Sequence, residues 1–120
     1  MSTKKLYSEI DSSMLKSIPN PEKVKPYEVK IKQPEVTFLG VYNQPDFATL
    51  YILMYPNGRI VELKSLKLYI VKFRNLGIFH EHVTNKILED FSKACKPHSI
   101  SVKGDFNPRG GIKTTVSANN

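Results

Sequence analysis

Cysteine is nearly absent from this chain. Cys95 is its single thiol in 120 residues, so no intrachain disulfide can form and no zinc site can rest on several thiolates. His80, His82 and His98 do not follow the spacing of a zinc-binding helix, and no metal site is expected. Long apolar runs are missing as well. The longest fall far short of the roughly 20 residues that cross a bilayer, and the N-terminus lacks the apolar stretch of a secretory signal. The expectation is a cytoplasmic protein with no membrane partner. There are no internal repeats and no low-complexity segments. Acidic residues are in short supply, with 11 Asp and Glu against 18 Lys and Arg, a formal net charge of +7. Such a balance favours anionic partners (nucleic acid, phosphorylated cofactors, acidic surfaces) without choosing among them.

The length suits one domain, which hides roughly two-thirds of the surface of its unfolded chain. That allows one modest core but no deep private active site, so any chemistry is expected between subunits. Residues 1–34 are polar and punctuated by Pro19, Pro21, Pro26 and Pro34. They have little to bury by themselves and read as an N-terminal arm, either loose or laid along another surface. Within the arm Tyr27, Val29 and Ile31 alternate, as a short edge strand would. Residues 35–120 read as the folded domain.

In that domain Val36 to Tyr42 and Ala48 to Tyr55 read as strands, the second rich in β-branched and aromatic residues. Pro56-Asn57-Gly58 is a turn signal. Arg59 to Leu63 is either the returning arm of a hairpin or an extended lead into a helix. The apolar period then lengthens. Leu66, Tyr69, Ile70 and Phe73 share one helical face, ending near Asn75 and Gly77. Phe79, Val83, Ile87, Phe91 and Ala94 form the stripe of a second helix, with Glu81 in its first turn and Pro97 beyond its end. Alternation resumes at Ile100, Val102 and Phe106, and again at Ile112, Thr114 and Val116. The order is ββααββ: an α+β fold whose antiparallel sheet carries both helices on one face. The other face and both sheet edges would need cover, which suits assembly into a ring.

Three clusters carry candidate chemistry. Gln44-Pro45-Asp46-Phe47 is, by itself, a solvated turn. Glu62-Leu63-Lys64-Ser65-Leu66-Lys67-Leu68-Tyr69 sets two lysines and a serine where a strand meets a helix. That is either a capped helix start with a wet face or a phosphate-attracting one. Phe79-His80-Glu81 opens the second helix. Its carboxylate either complements the helix dipole or, in a pocket, accepts two parallel hydrogen bonds from a purine-like base.

Taken together, the strings QPDFATLYI, VELKSLKLY, FRN, FHE and PRGGI, with Pro34-Glu35-Val36-Thr37 upstream, resemble the NADPH-dependent 7-cyano-7-deazaguanine reductases, the QueF family. The resemblance runs from about Asn20 to Ile112. It implies the tunnelling fold, in which ββααββ units close a homo-oligomeric ring with sites between subunits. It further implies an NADPH-dependent oxidoreductase of queuosine tRNA-modification biosynthesis that reduces a deazaguanine nitrile to an aminomethyl group. By the resemblance Glu81 anchors the base, and Val61, Glu62, Leu63 and His80 line the substrate site. Lys64, Ser65 and Lys67 bind NADPH, and Asp46 donates the proton. No direct contact with nucleic acid is expected.

One residue departs from the pattern. The family's nucleophile is a cysteine shortly before Gln-Pro-Asp, which attacks the nitrile carbon. Counting back from Asp46 places it at Leu39; counting forward from Pro34-Glu35-Val36-Thr37 places it at Gly40. Neither has a nucleophilic atom. The alternatives are therefore a non-catalytic ring protein binding a deazapurine or pterin-like ligand, or the cofactor-binding half of a split reductase.

Overall fold

In the computed structural model the described residues are 12–22, 25–39, 45–75 and 79–120. Strands β2 (Val29–Leu39), β3 (Pro45–Tyr55), β5 (Ser99–Arg109) and β6 (Ile112–Asn119) form an antiparallel sheet in the order β2-β3-β5-β6. Helices α1 (Leu63–Val71) and α2 (His80–Cys95) cover one face of it. Strict alternation along β3 explains the layering. Asp46, Ala48, Leu50, Ile52 and Met54 turn inward and are buried, while Phe47, Tyr51 and Tyr55 turn outward. A side-chain period of two sends successive residues to opposite faces.

The phase of β2 changes part-way. Gln33 pairs with Leu50 and Val36 with Ala48, so β2 carries one extra residue there. Glu35 takes a positive φ of 60°. A bulge of this kind reverses which face alternate residues meet. It lets Ile31 before it and Val36 and Phe38 after it all pack inward. This strand crosses the 34/35 boundary between arm and domain, and it runs well beyond the short edge strand anticipated around Tyr27 to Ile31.

Helix α1 buries Ser65, Leu66, Tyr69 and Ile70, and Phe73 follows in a 3-10 turn at Lys72–Asn75. Helix α2 buries Val83, Ile87, Phe91 and Cys95. Phe79 does not join that stripe: it is the N-cap residue and 48% exposed. The helix closes at Lys96, whose left-handed backbone donates to Ser92 O. One bond ties the helices together, and an ion pair within α2 supports it. The Tyr69 hydroxyl donates to Asp90 Oδ2 at 2.5 Å, and the Lys86 ammonium lies 3.0 Å from the same oxygen.

The segment Arg59–Val61 (β4) is not the second arm of a hairpin with β3. It pairs with β1 (Ser17–Pro19), Ser17 opposite Val61, and leads directly into α1. The described part of the arm is thus laid along the domain: Leu15 is buried, and Arg59 Nε donates to Ser17 Oγ at 2.6 Å. Asn20, also buried, accepts from Glu22 N and the Tyr27 hydroxyl and donates to Asn57 O.

Candidate functional site

The candidate centre lies where β3 begins and α2 begins. Asp46 is the second residue of β3, directly opposite Phe38. Its inward phase buries the carboxylate, leaving the side chain 4% exposed. Oδ1 accepts the Phe47 amide at 3.1 Å, and Oδ2 lies 2.7 Å from His80 Nε2. One proton lies between that oxygen and that nitrogen, whichever atom carries it. His80 is held flat against Phe106, with centroids 3.9 Å apart and planes 2° from parallel. It meets the edge of Phe38 at 5.8 Å. Its carbonyl also accepts the Thr84 hydroxyl at 3.0 Å. The imidazole thus has a fixed plane, one nitrogen on the carboxylate and a partly exposed edge.

Glu81 follows His80 in the first turn of α2 and is exposed. Of the two carboxylates singled out from the sequence, the imidazole contacts Asp46, and Glu81 is its neighbour along the chain. Arg109, the last residue of β5, completes the cluster: Nη1 donates to Pro45 O at 3.2 Å and lies 3.9 Å from Asp46 Oδ2. Sequence reasoning had Arg109 only within the string PRGGI, with no role of its own. Nothing in local spacing connects it with a residue 64 positions earlier.

The second cluster is used differently. Glu62 is the N-cap of α1, accepting the Ser65 amide at 2.6 Å and the Lys64 amide at 3.2 Å. These bonds, the Ser65 amide foremost, hold its carboxyl below the ordinary carboxylate range. The Ser65 hydroxyl accepts the Lys16 amide at 2.9 Å and donates to Glu62 O at 2.7 Å, so it fastens the arm to α1. Val61 is buried beside β1, and Leu63 is 67% exposed. Among the described residues these groups make no hydrogen bond to the Asp46–His80 pair. The chain therefore brings Asp46 and His80 into contact, with Glu81 next in sequence.

Lys64 and Lys67 are exposed. Lys67 lines a cavity of about 140 Å³ with Glu35 and Arg74. Glu35 and Arg74 also border a neighbouring one of about 420 Å³ with Thr37, Phe47 and Asn107. Sequence reasoning gave Arg74 no role. No three His, Cys, Asp or Glu side chains among the described residues gather as a metal site. None of the described helices is long and apolar enough to cross a membrane.

The thiol is elsewhere. Leu39 ends β2 opposite Pro45, and Gly40 lies outside the described residues. Cys95 is buried at the far end of α2 from His80, about 22 Å along the axis at 1.5 Å per residue. Burial pushes its thiol up to about 11.

The model of the QueF-like protein family matches residues 45–120, a span that holds Asp46, His80, Glu81 and Arg109. The chain belongs to the QueF-like family. A relative from Gloeothece citriformis named NADPH-dependent 7-cyano-7-deazaguanine reductase is 44% identical over 112 residues, covering 92% of this chain and 81% of that one. One of the same name from an Anaeromyxobacter species is 50% identical over 105 residues, covering 87% and 86%. The apo crystal structure of the archaeosine synthase QueF-Like superposes with a TM-score of 0.72 at 20% identity, over 79% of this chain and 94% of that one. The fold of this QueF-like chain is accordingly the tunnelling fold, α+β, with the ββααββ order of its main sheet and helices.

Proposed function

We propose that this chain binds the deazaguanine nitrile for which its relatives are named and acts with NADPH in its reduction. The observation that carries the reading is the 2.7 Å contact between Asp46 Oδ2 and His80 Nε2, one residue from Glu81. Reduction of a nitrile to an aminomethyl group consumes two hydrides at carbon and two protons at nitrogen. NADPH, when bound, supplies the hydrides. Asp46, through the proton it shares with His80, delivers protons to the nitrogen. Phe106 and Phe38 keep the imidazole in plane for that transfer. Glu81 accepts the N–H edge of the base, for which an exposed carboxylate at a helix start is suited. Lys64 and Lys67 carry ammoniums available for phosphate, whereas Ser65 would have to release Lys16 to take part. Val61, Glu62 and Leu63 reach the substrate from a neighbouring copy, joined through the open edges β2 and β6 in a homo-oligomeric ring.

A second reading is binding without turnover, in the same pocket. The observation favouring it is Leu39 at one of the two positions expected for the nucleophile, with Cys95 buried far away. Covalent catalysis divides one hard step into two easier ones, and that route needs a thiolate.

One set of measurements separates the two. Reductase function predicts NADPH consumption on adding 7-cyano-7-deazaguanine. Binding alone predicts ligand-induced thermal stabilisation with no NADPH loss, abolished by Glu81→Ala. Leu39→Cys and Gly40→Cys, incubated with the nitrile, should yield an adduct by intact mass for whichever position faces the pocket. Absence of stabilisation, turnover and adduct would sink both readings.

A further inference from the structure

The face of the sheet turned away from the helices carries a second constellation, which the reductase reading does not use. Along β3 the outward rings are Phe47, Tyr51 and Tyr55, exposed by 44%, 38% and 41%. They recur every four residues, roughly 13 Å apart on a strand. Strand register sets Lys32 and Lys103 on the two sides of Tyr51. Their ammoniums stand 5.8 and 5.7 Å from its ring centroid. Neither makes an ion pair among the described residues, whereas neighbouring Lys30 leans on Glu28 at 3.5 Å. A groove of about 370 Å³ runs over this row, lined by Lys30, Lys32, Tyr51, Leu53, Ser101 and Lys103.

Two unneutralised cations flanking an exposed ring match an alternation of phosphate and flat base. Single-stranded nucleic acids bind by stacking bases on aromatic side chains while basic groups track the backbone. A second copy of the same face is a poor fit, because it would set lysine against lysine, and lysine is depleted from protein interfaces. The formal charge of +7 adds long-range attraction for a polyanion. We propose that this face binds single-stranded nucleic acid, with Tyr51 as the base platform and Lys32 and Lys103 as phosphate contacts. This departs from the expectation, drawn from the family resemblance, of no direct nucleic-acid contact. It is also independent of the reductase reading, since Asp46 and His80 sit on the opposite face of the sheet.

The test is fluorescence anisotropy of a short fluorescein-labelled oligouridylate with the full chain over a salt series. Binding at low salt should weaken as salt rises, by about 0.7 in log–log slope per phosphate contacted. Lys32→Ala/Lys103→Ala should bind at least tenfold more weakly and lose about 1.4 of that slope. Tyr51→Ala should bind at least fivefold more weakly with the slope unchanged, and Tyr51→Phe should bind like the parent. Circular dichroism and deazaguanine-induced stabilisation, unchanged in all variants, would show that the fold and the other face are intact. The proposal is overturned by no binding at low ionic strength, or by parental affinity in the Lys32/Lys103 and Tyr51→Ala variants. It is equally overturned by equal affinity for duplex RNA, which has no splayed base to stack. A change of oligomeric state in Tyr51→Ala by sedimentation also overturns it, since the face would then join copies of the chain.

Discussion

Gly104→Ala should damage the candidate site through a residue that touches neither carboxylate. Gly104 lies on the inward face of β5, between Leu50 on β3 and Val116 on β6. A Cβ added there would stand 2.7 Å from Phe106 Cε2, 2.8 Å from Thr84 Oγ1 and 2.9 Å from Phe106 Cζ. The closest of these is about 0.7 Å inside the 3.4 Å at which ordinary contact begins. The Phe106 ring cannot simply retreat. Its other neighbours are His80, stacked at 3.9 Å, and Phe38, edge-on at 5.6 Å, and the residue is fully buried. Overpacking of this kind costs about 1–3 kcal/mol, which for a domain of this size lowers Tm by about 4–12 °C. The displaced ring takes His80 with it and lengthens the bond to Asp46. Two measurements check this: thermal unfolding by circular dichroism, and the side-chain nitrogen resonances of His80 by NMR. Gly104→Ala/Phe106→Leu should recover stability by vacating the space, yet leave the His80 resonances altered, because the stack is gone. A Gly104→Ala protein with the parental Tm and parental His80 resonances would refute the reasoning.

Three other perturbations have defined outcomes. Asp90→Ala removes the carboxylate that the buried Lys86 ammonium and the Tyr69 hydroxyl both contact, and breaking a buried pair from one side costs about 3–5 kcal/mol. Urea denaturation should show that loss, with Asp90→Asn milder because its carbonyl still accepts from Tyr69; a loss under about 1 kcal/mol would place the pair in water. Glu62 has a lowered folded pKa, so the stability it confers is full above its ordinary value of 4.5 and fades as pH falls through the lowered one. Glu62→Gln should therefore flatten the acid limb of a Tm-against-pH curve, and an unchanged limb would contradict the cap. Cys95, buried and raised to about 11, should resist iodoacetamide at neutral pH in the folded protein and react once denaturant is added. Rapid alkylation of the native chain, read by mass, would show that the thiol is accessible.

Several features were legible before any coordinates. The inward alternation of Ile100, Val102 and Phe106 and the helical faces of Leu66–Phe73 and Val83–Phe91 are visible as periods of two and 3.6, because a core selects side chains by the face they present. The QPD, LKSLK and FHE strings were equally visible, and they mark the stretch that the family model matches. Elsewhere local pattern misled. Phe79 fits the helical stripe but precedes the helix, where its ring meets His82 at 5.8 Å instead of the core. The bulge at Glu35 was hidden because one inserted residue leaves composition unchanged while reversing the phase of half a strand.

What the chain by itself determined is which side of each element seeks the interior, since that depends on residues a few positions apart. Tertiary structure alone decided the partners. It brought Arg109 to Asp46 across 63 positions, set β4 against β1 in place of β3, and committed the Ser65 hydroxyl to Lys16 across 49. It also converted Asp46 from an acid in a turn into a buried carboxylate facing His80. Periodicity records the face a side chain presents; only the folded topology fixes which distant group that face meets.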